Sequence, residues 1–270
     1  MPPKRHAERK TLQQMLSLEG RMTLITGAAS GIGRAMAERF AEAGSSLELV
    51  DVDYDGLRIA KEELAERKVE ISLYHVDLSK KQEIDSLWEE LKGREPDTLV
   101  NNAGAYPFKK FTEVDEASLA RVLAINLNAV FWMCQKMIEG REGRGGVIIN
   151  VSSVEAILPF KDGLTHYGPS KAGVIALSRS LAKEFGRKGF RVNVMLPGGI
   201  NTPGTRGAAK GVLKGQLGLI KDGVEFMSRL PLGRMGDPDE VARMAVVLAS
   251  DLSSYMTGAL VPVDGGFLSA

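Results

Sequence analysis

Tyr167 and Lys171 stand four residues apart in "THYGPSKAG", residues 165–173, with a proline between them. On an α-helix, positions i and i+4 share a face, so the phenol and the ammonium could meet. Proline is tolerated only in the first turn of a helix, which places Pro169 and the pair at a helix start. Free tyrosine has a pKa near ~10 and is a poor base at neutral pH. A nearby ammonium favours the phenolate and brings the group toward the pH at which acid–base catalysis works best. Read alone, the nine residues are better read as a capped amphipathic helix with two exposed polar side chains; the rest of the chain reverses that. His166, next to the tyrosine, could act as a base, line a pocket or face solvent.

The elements around this pair carry a regular alternation. "MTLITG" reads as a buried strand and "GIGRAMAERFAEAG" as a helix closed by Gly44. "SLELVDV", "EISLYHVD", "DTLVNN", "GGVIINVSS", "RVNVMLPG" and "GALVPVDGG" supply six more strands. Helices are read in "YDGLRIAKEELAERK", "KKQEIDSLWEELKG", Glu116 to Met137, "SKAGVIALSRSLAKEFGRKG" and "PDEVARMAVVLAS". Strands such as "VIINV" are apolar on both faces, as a sheet covered on both sides requires. The pattern predicts an α/β fold with a seven-stranded, mostly parallel sheet and helices on both faces. Nothing splits the chain, so 18–270 reads as a single catalytic domain behind an N-terminal extension, 1–17, with one helix from Ala7 to Leu16. The irregular segment 202–233 is long enough to suggest a working loop.

Bulk properties exclude several classes. The 270 residues are 44% hydrophobic and 26% charged, with a net charge of +1, which gives no field for nucleic acid or an anionic membrane. No apolar run approaches the length of a membrane span, and the basic, polar N-terminus lacks the apolar core of a secretion signal. The single cysteine, Cys134, reads as a buried residue of a cytoplasmic protein. His6, His75 and His166 have no metal-ligand spacing, so no metal is expected.

"TGAASGIG", 26–33, joins the first strand to the first helix. Gly27, Gly31 and Gly33 allow a tight turn and close approach of a ligand, and the helix N-terminus offers free N–H groups to a pyrophosphate. Asp51 ends the second strand, 18 residues after Gly33. An acid at that distance accepts hydrogen bonds from an adenosine ribose and repels a 2′-phosphate. Ser30 stands where a basic residue could have held that phosphate, and Val52 follows Asp51, so NAD is read over NADP. Asp53 and Asp55 read as turn and cap residues.

With "NNAG" at 101–104, "INLNAVF" at 125–131, "INVSS" at 149–153, "YGPSK" at 167–171 and "PGGINTP" at 197–203, the chain resembles the classical short-chain dehydrogenases/reductases over about residues 18–268. The resemblance implies a Rossmann-like, doubly wound fold and a hydride transfer between a nicotinamide cofactor and a substrate carbon. It implies that Tyr167 is the catalytic acid/base, Lys171 its partner, Ser153 the holder of the substrate oxygen, and Asn126 the fourth member through a water. It further implies cofactor contacts from Gly27, Ser30, Gly31, Ile32, Gly33, Asp51 and Val52. Asp77 and Leu78 would lie beside the adenine, and Asn101, Ala103 and Gly104 along the adenosine ribose. Pro197, Gly198, Ile200 and Thr202 would hold the nicotinamide. Tyr167 lies 14 residues after Ser153, one more than the family's usual separation, which leaves Ser152 as a competing candidate.

The substrate pocket is expected from Tyr106, Glu155, Leu158, Phe160, His166 and Gly199. Glu155 could bond a polyol hydroxyl or face water. Arg206, Lys210, Lys214 and Lys221 could meet an anion or form a solvated face. The first expectation is an NAD-dependent dehydrogenase of a secondary alcohol of sugar, polyol or hydroxy-acid type. The second is a 3-oxoacyl-thioester reductase, an activity that commonly uses NADPH in the family. A third is a non-catalytic NAD-binding protein. Family members usually assemble as homotetramers through their long helices; a homodimer is the alternative.

Overall fold

Seven strands form one sheet: β1 (Met22–Thr26), β2 (Ser46–Asp51), β3 (Ile71–His75), β4 (Thr98–Asn101), β5 (Gly146–Val151), β6 (Phe190–Pro197) and β7 (Leu260–Val263). In this computed structural model, which describes residues 9–205 and 226–270, their order is β3-β2-β1-β4-β5-β6-β7. Every neighbouring pair is parallel. The fold is the doubly wound, Rossmann-like one. Arg206, Lys210, Lys214 and Lys221 lie outside the described residues, as do residues 7 and 8 of the expected N-terminal helix.

Side chains of a strand alternate between faces, and this alternation feeds two cores. Ile25, Leu49, Val100 and Ile149 pack on one face with Met36 and Phe40 of α2 (Gly31–Glu42) and Leu57 of α3 (Tyr54–Glu63). Leu24, Val50, Leu99 and Ile148, each one residue away, pack on the other face with Ile84 and Trp88 of α4 (Lys81–Glu90). Both faces of the central strands are therefore covered, which is why most of their residues are apolar.

The helical region read from Glu116 to Met137 runs three residues further, as α5 (Glu116–Leu123), a π-helical turn (Ala124–Asn128) and α6 (Ala129–Gly140). Contrary to the sequence reading, this stretch is long and apolar enough to cross a membrane by composition, with a mean hydropathy of 1.4. Met133, Cys134 and Met137 instead supply core against the sheet, and Asn126 sits buried in its middle. Helix α7 (Tyr167–Phe185) begins at the tyrosine itself, so Pro169 falls in its first turn. The last long helix, α8 (Pro238–Ala249), opens with a capping box between Asp237 and Glu240. Near the N-terminus, α1 (Leu12–Leu16) is shorter than the sequence suggests, because a capping box at Thr11 starts it there.

Candidate functional site

The chain reverses its winding direction between β1 and β4, so the loops leaving these strands diverge and open a crevice at the carboxyl edge of the sheet. The glycine loop fills one side. Gly27 and Gly31 have φ of +68° and +56°, a region that favours glycine. A Cβ on Gly33 would stand 2.0 Å from the Gly27 carbonyl oxygen, so only glycine lets α2 approach β1 this closely. Asn102 pins the turn from the β4 side. Its Nδ2 donates to the carbonyls of Thr26 and Gly27 at 3.0 and 3.2 Å, while the Thr26 hydroxyl accepts from the N–H groups of Asn102 and Ala103 at 3.0 Å each.

Asp51 ends β2 at this loop. Its carboxylate accepts the Ala29 N–H at 2.9 Å and the Asp53 N–H at 3.0 Å, which ties the acid to the glycine turn. Asp53 caps α3 through the Gly56 N–H, as its position suggested. Val52 lies exposed at the rim, and Ser30 precedes α2 without using its hydroxyl as a cap. Ile32 is half-buried in the first turn of α2. Asp77 follows β3, where its carboxylate accepts the Ser79 hydroxyl at 2.6 Å and the Ser79 N–H at 3.0 Å. These bonds hold its pKa below the ordinary carboxylate value. Leu78 beside it is buried in the core. These residues fit a dinucleotide: a backbone cradle that a Cβ would block, free N–H groups at a helix start, and an acid at its edge.

Neighbouring asparagines at the end of β4 point in opposite senses. Asn101 turns into the core, donating to Asn150 Oδ1 at 2.8 Å, and Asn150 donates to the Ser178 hydroxyl at 2.8 Å. Only the Asn101 backbone lies along the crevice, whereas Asn102, which the sequence reading passed over, braces the glycine loop. The signal was present, since "NNAG" contains both. Thr26, Asn150 and Ser178 were also missed, because an isolated threonine, asparagine or serine carries no spacing signal.

Beyond Gly104 the four residues of the second cluster meet. A Cβ on Gly104 would stand 3.3 Å from Lys171 Nζ and 3.4 Å from Asn126 Oδ1, so a bare backbone separates these groups. Asn126, fully buried in the π turn, accepts the Ala105 N–H at 2.7 Å and donates to the Ala105 carbonyl at 2.9 Å and the Ser170 hydroxyl at 3.1 Å. Lys171, also buried, donates to the Val151 carbonyl at 2.9 Å, and its Nζ lies 5.9 Å from the centre of the Tyr167 ring. Ser153 hydrogen-bonds the Tyr167 hydroxyl. The neighbouring serine is committed elsewhere: the Ser152 hydroxyl is buried and donates to the Lys171 carbonyl at 2.8 Å.

Electrostatics depart from the sequence expectation. Burial pushes the Tyr167 phenol above its ordinary value, opposed by the Ser153 hydrogen bond and reinforced by the Glu155 charge. Burial likewise pulls Lys171 down to about 8. Sequence spacing foresaw the ammonium but not the desolvation of both groups, which outweighs it.

Around this cluster, the Tyr106 ring stacks edge-on against Tyr167 with centres 4.8 Å apart. Glu155 is buried, accepts a long hydrogen bond from the Phe160 N–H at 3.4 Å, and is raised in pKa by burial. Phe160 stacks on Phe226 and Phe267, and Leu158 packs with them. Gly199 faces Phe226 and Met235, with no room for a Cβ. Pro197 ends β6, and Gly198 packs against the Asp264 backbone. Ile200 is buried, and the Thr202 N–H is held by the Thr205 hydroxyl at 2.8 Å. A Cβ on Gly31 would stand 3.4 Å from the Thr202 side chain, so the 197–205 segment closes over the glycine loop.

Comparison with known proteins places this geometry. A family model described as enoyl-(acyl carrier protein) reductase matches residues 27–268. The chain is 36% identical to a 3-oxoacyl-[acyl-carrier-protein] reductase of Thermotoga maritima, over 94% of this chain and 100% of that one. It is 35% identical to an L-rhamnose 1-dehydrogenase (NAD(P)(+)) of a Sphingomonas species, over 93% and 98%. A crystal structure from Beutenbergia cavernae with NADP bound at low occupancy superposes with a TM-score of 0.87, at 31% identity, covering 95% of this chain and 100% of that one. With motifs, sheet order and relatives in agreement over nearly its full length, the chain belongs to the short-chain dehydrogenase/reductase family, whose members are NAD(P)-binding oxidoreductases.

Proposed function

We propose that this chain interconverts a secondary alcohol and its ketone with NAD, on a substrate of sugar, polyol or hydroxy-acid type. The observation that carries the reading is the hydrogen-bonded Ser153–Tyr167 pair beside buried Lys171, at the edge of a dinucleotide cradle. The nicotinamide, when bound, supplies or accepts the hydride. Tyr167 exchanges a proton with the substrate oxygen through its hydroxyl, and Ser153 donates a hydrogen bond to that oxygen as charge develops there. Lys171 places a cation near the Tyr167 ring and favours its ionised form. Asn126 acts as a positioning residue by holding Ala105 and, through it, the loop that carries Tyr106 against Tyr167. Asp51 supports NAD over NADP, since a carboxylate at the ribose edge disfavours a 2′-phosphate. We assign these roles to residues 18–270 acting as one catalytic unit.

The test is a cofactor-reduction screen with NAD and NADP across sugars, polyols, hydroxy acids and simple secondary alcohols, with Tyr167→Phe as the blank. Turnover that needs Tyr167 supports the reading. NAD binding without turnover on any alcohol counts against it. The 3-oxoacyl-thioester reductase is the second reading, favoured by the likeness to the Thermotoga maritima enzyme. Oxidation of NADPH by a 3-oxoacyl thioester would select it, and NAD binding with no turnover on alcohol or thioester, unchanged by Tyr167→Phe, would leave only a binding role.

We also propose assembly as a homotetramer through α6 and α7. Between them lies an open groove of about 1010 Å³ lined by Phe131, Ile138, Leu177, Leu181 and Phe185. Sedimentation of the intact chain would show a tetramer, against a dimer or monomer if the groove serves otherwise.

A further inference from the structure

His166 has no role in the proton transfer at Tyr167, yet it is only 5% exposed and neither ring nitrogen has a hydrogen-bond partner among the described residues. A buried imidazole with both nitrogens unmatched is costly unless something polar meets it. It lines a cavity of about 330 Å³ between the Tyr106–Lys109 loop and α5. Arg121 and Ser118 of α5 line the same cavity, as does Tyr106, whose ring meets Tyr167 edge-on.

The charges around this cavity are predominantly positive. Lys109 is paired with Asp115 at 2.5 Å and donates to the Ser118 hydroxyl at 2.8 Å, and that hydroxyl in turn bonds the Asp115 carboxylate, so both the ammonium and the serine are engaged. Lys161 lies over the Phe108 ring at the cavity edge, 4.5 Å from its centre. No hydrogen bond or ion pair engages the Arg121 side chain among the described residues. An exposed guanidinium and a buried imidazole lining one small space match the donors that a carboxylate or phosphate accepts.

We propose that this cavity is an anion subsite, in which Arg121 and His166 hold an anionic group of the substrate while its hydroxyl carbon lies at Tyr167. The inference rests on the proposed alcohol–ketone chemistry and narrows its substrate to one carrying a negative charge. A carboxylate of a small hydroxy acid fits the cavity size; a phosphate on a pantetheine arm shares the same acceptor chemistry.

Calorimetric titration of the NADH-loaded full chain tests the subsite without turnover. D-gluconate is compared with glucitol, 3-hydroxybutyrate with 1,3-butanediol, and phosphopantetheine with pantetheine. At least one anion is expected to bind about tenfold or more tightly than its neutral counterpart, as a charge-assisted contact predicts. The pair that discriminates identifies the source of the anion. Arg121→Gln and His166→Phe should each erase the preference while NADH affinity, measured by its fluorescence, reports an intact fold. Equal binding within every pair, no binding of any anion, or a preference that survives both variants would overturn the subsite. Loss of alcohol turnover in the cofactor-reduction screen with the anion preference intact would overturn the chemistry and leave the subsite standing.

Discussion

Asn126 grips Ala105 from both sides, accepting its N–H at 2.7 Å and donating to its carbonyl at 2.9 Å. A π turn makes this possible: the extra residue per turn aims a buried amide out of the helix ladder and at the loop after β4. Asn126→Ala would leave both partly buried Ala105 backbone groups unpaired, at roughly 1–3 kcal/mol. Calorimetry should record that loss. The variant should also lose kcat more than NADH affinity, because the released loop carries Tyr106 and not the glycine cradle.

Lys171 carries a pH signature. An ordinary lysine holds its proton to about 10.5, whereas buried Lys171 releases it near 8. Between those values the unfolded chain binds more protons than the folded one, so this residue's contribution makes stability rise with pH across that window. Below pH 8 the cost of burying the ammonium is fully present. Lys171→Met removes the charge at similar volume and leaves only the Val151 carbonyl unmatched. It should be more stable than the parent at pH 7, by on the order of 2 kcal/mol, with the gain fading toward pH 10.5. Turnover should be lost at every pH. Equal melting temperatures of the two chains at pH 7 would contradict this account.

Asp51→Ala should shift the ratio of kcat/KM for NAD over NADP toward NADP by about tenfold or more, since it removes the repulsion of a 2′-phosphate. The Ala29 N–H loses its acceptor in the same variant. Affinity for NAD should therefore fall as well, and a ratio that does not move would remove Asp51 from the ribose.

Gly33→Ala places a methyl 2.0 Å from the Gly27 carbonyl oxygen and 2.6 Å from Asn102 Nδ2. Both atoms belong to the braced turn and cannot yield cheaply. We expect a loss of about 1–3 kcal/mol in stability by denaturant titration, and a larger loss of NADH affinity than Gly93→Ala produces. Gly93 is the control for the class of change: its Cβ would meet nothing within 4 Å, although its φ of +85° carries its own strain.

Much of the architecture was legible in local pattern. Apolar runs of strand length between amphipathic helices require a doubly covered parallel sheet, and all seven strands fall where that pattern put them. The glycine turn and Asp51 were legible because backbone conformation and strand ends leave residue-type marks. The tyrosine–lysine pair was legible because helical spacing is local. The rest depended on orientation and burial. Asn101 and Asn102 are chemically identical neighbours, and only strand register sends one into the core and the other to the glycine turn. Ser152 and Ser153 are separated in the same way, the first spent on the Lys171 carbonyl and the second free to meet Tyr167.

Periodicity and glycine placement therefore determine the strands and the tight turn after β1, and i, i+4 spacing puts Tyr167 and Lys171 on one helix face, since these are set by contacts between residues close in sequence; the catalytic role of the pair was implied by the family resemblance. The desolvation that raises Tyr167 and lowers Lys171, the clamp of Asn126 on Ala105 and the unmatched imidazole of His166 come from segments brought together across the chain. Burial and partner geometry are properties of that packing, and no local spacing encodes them.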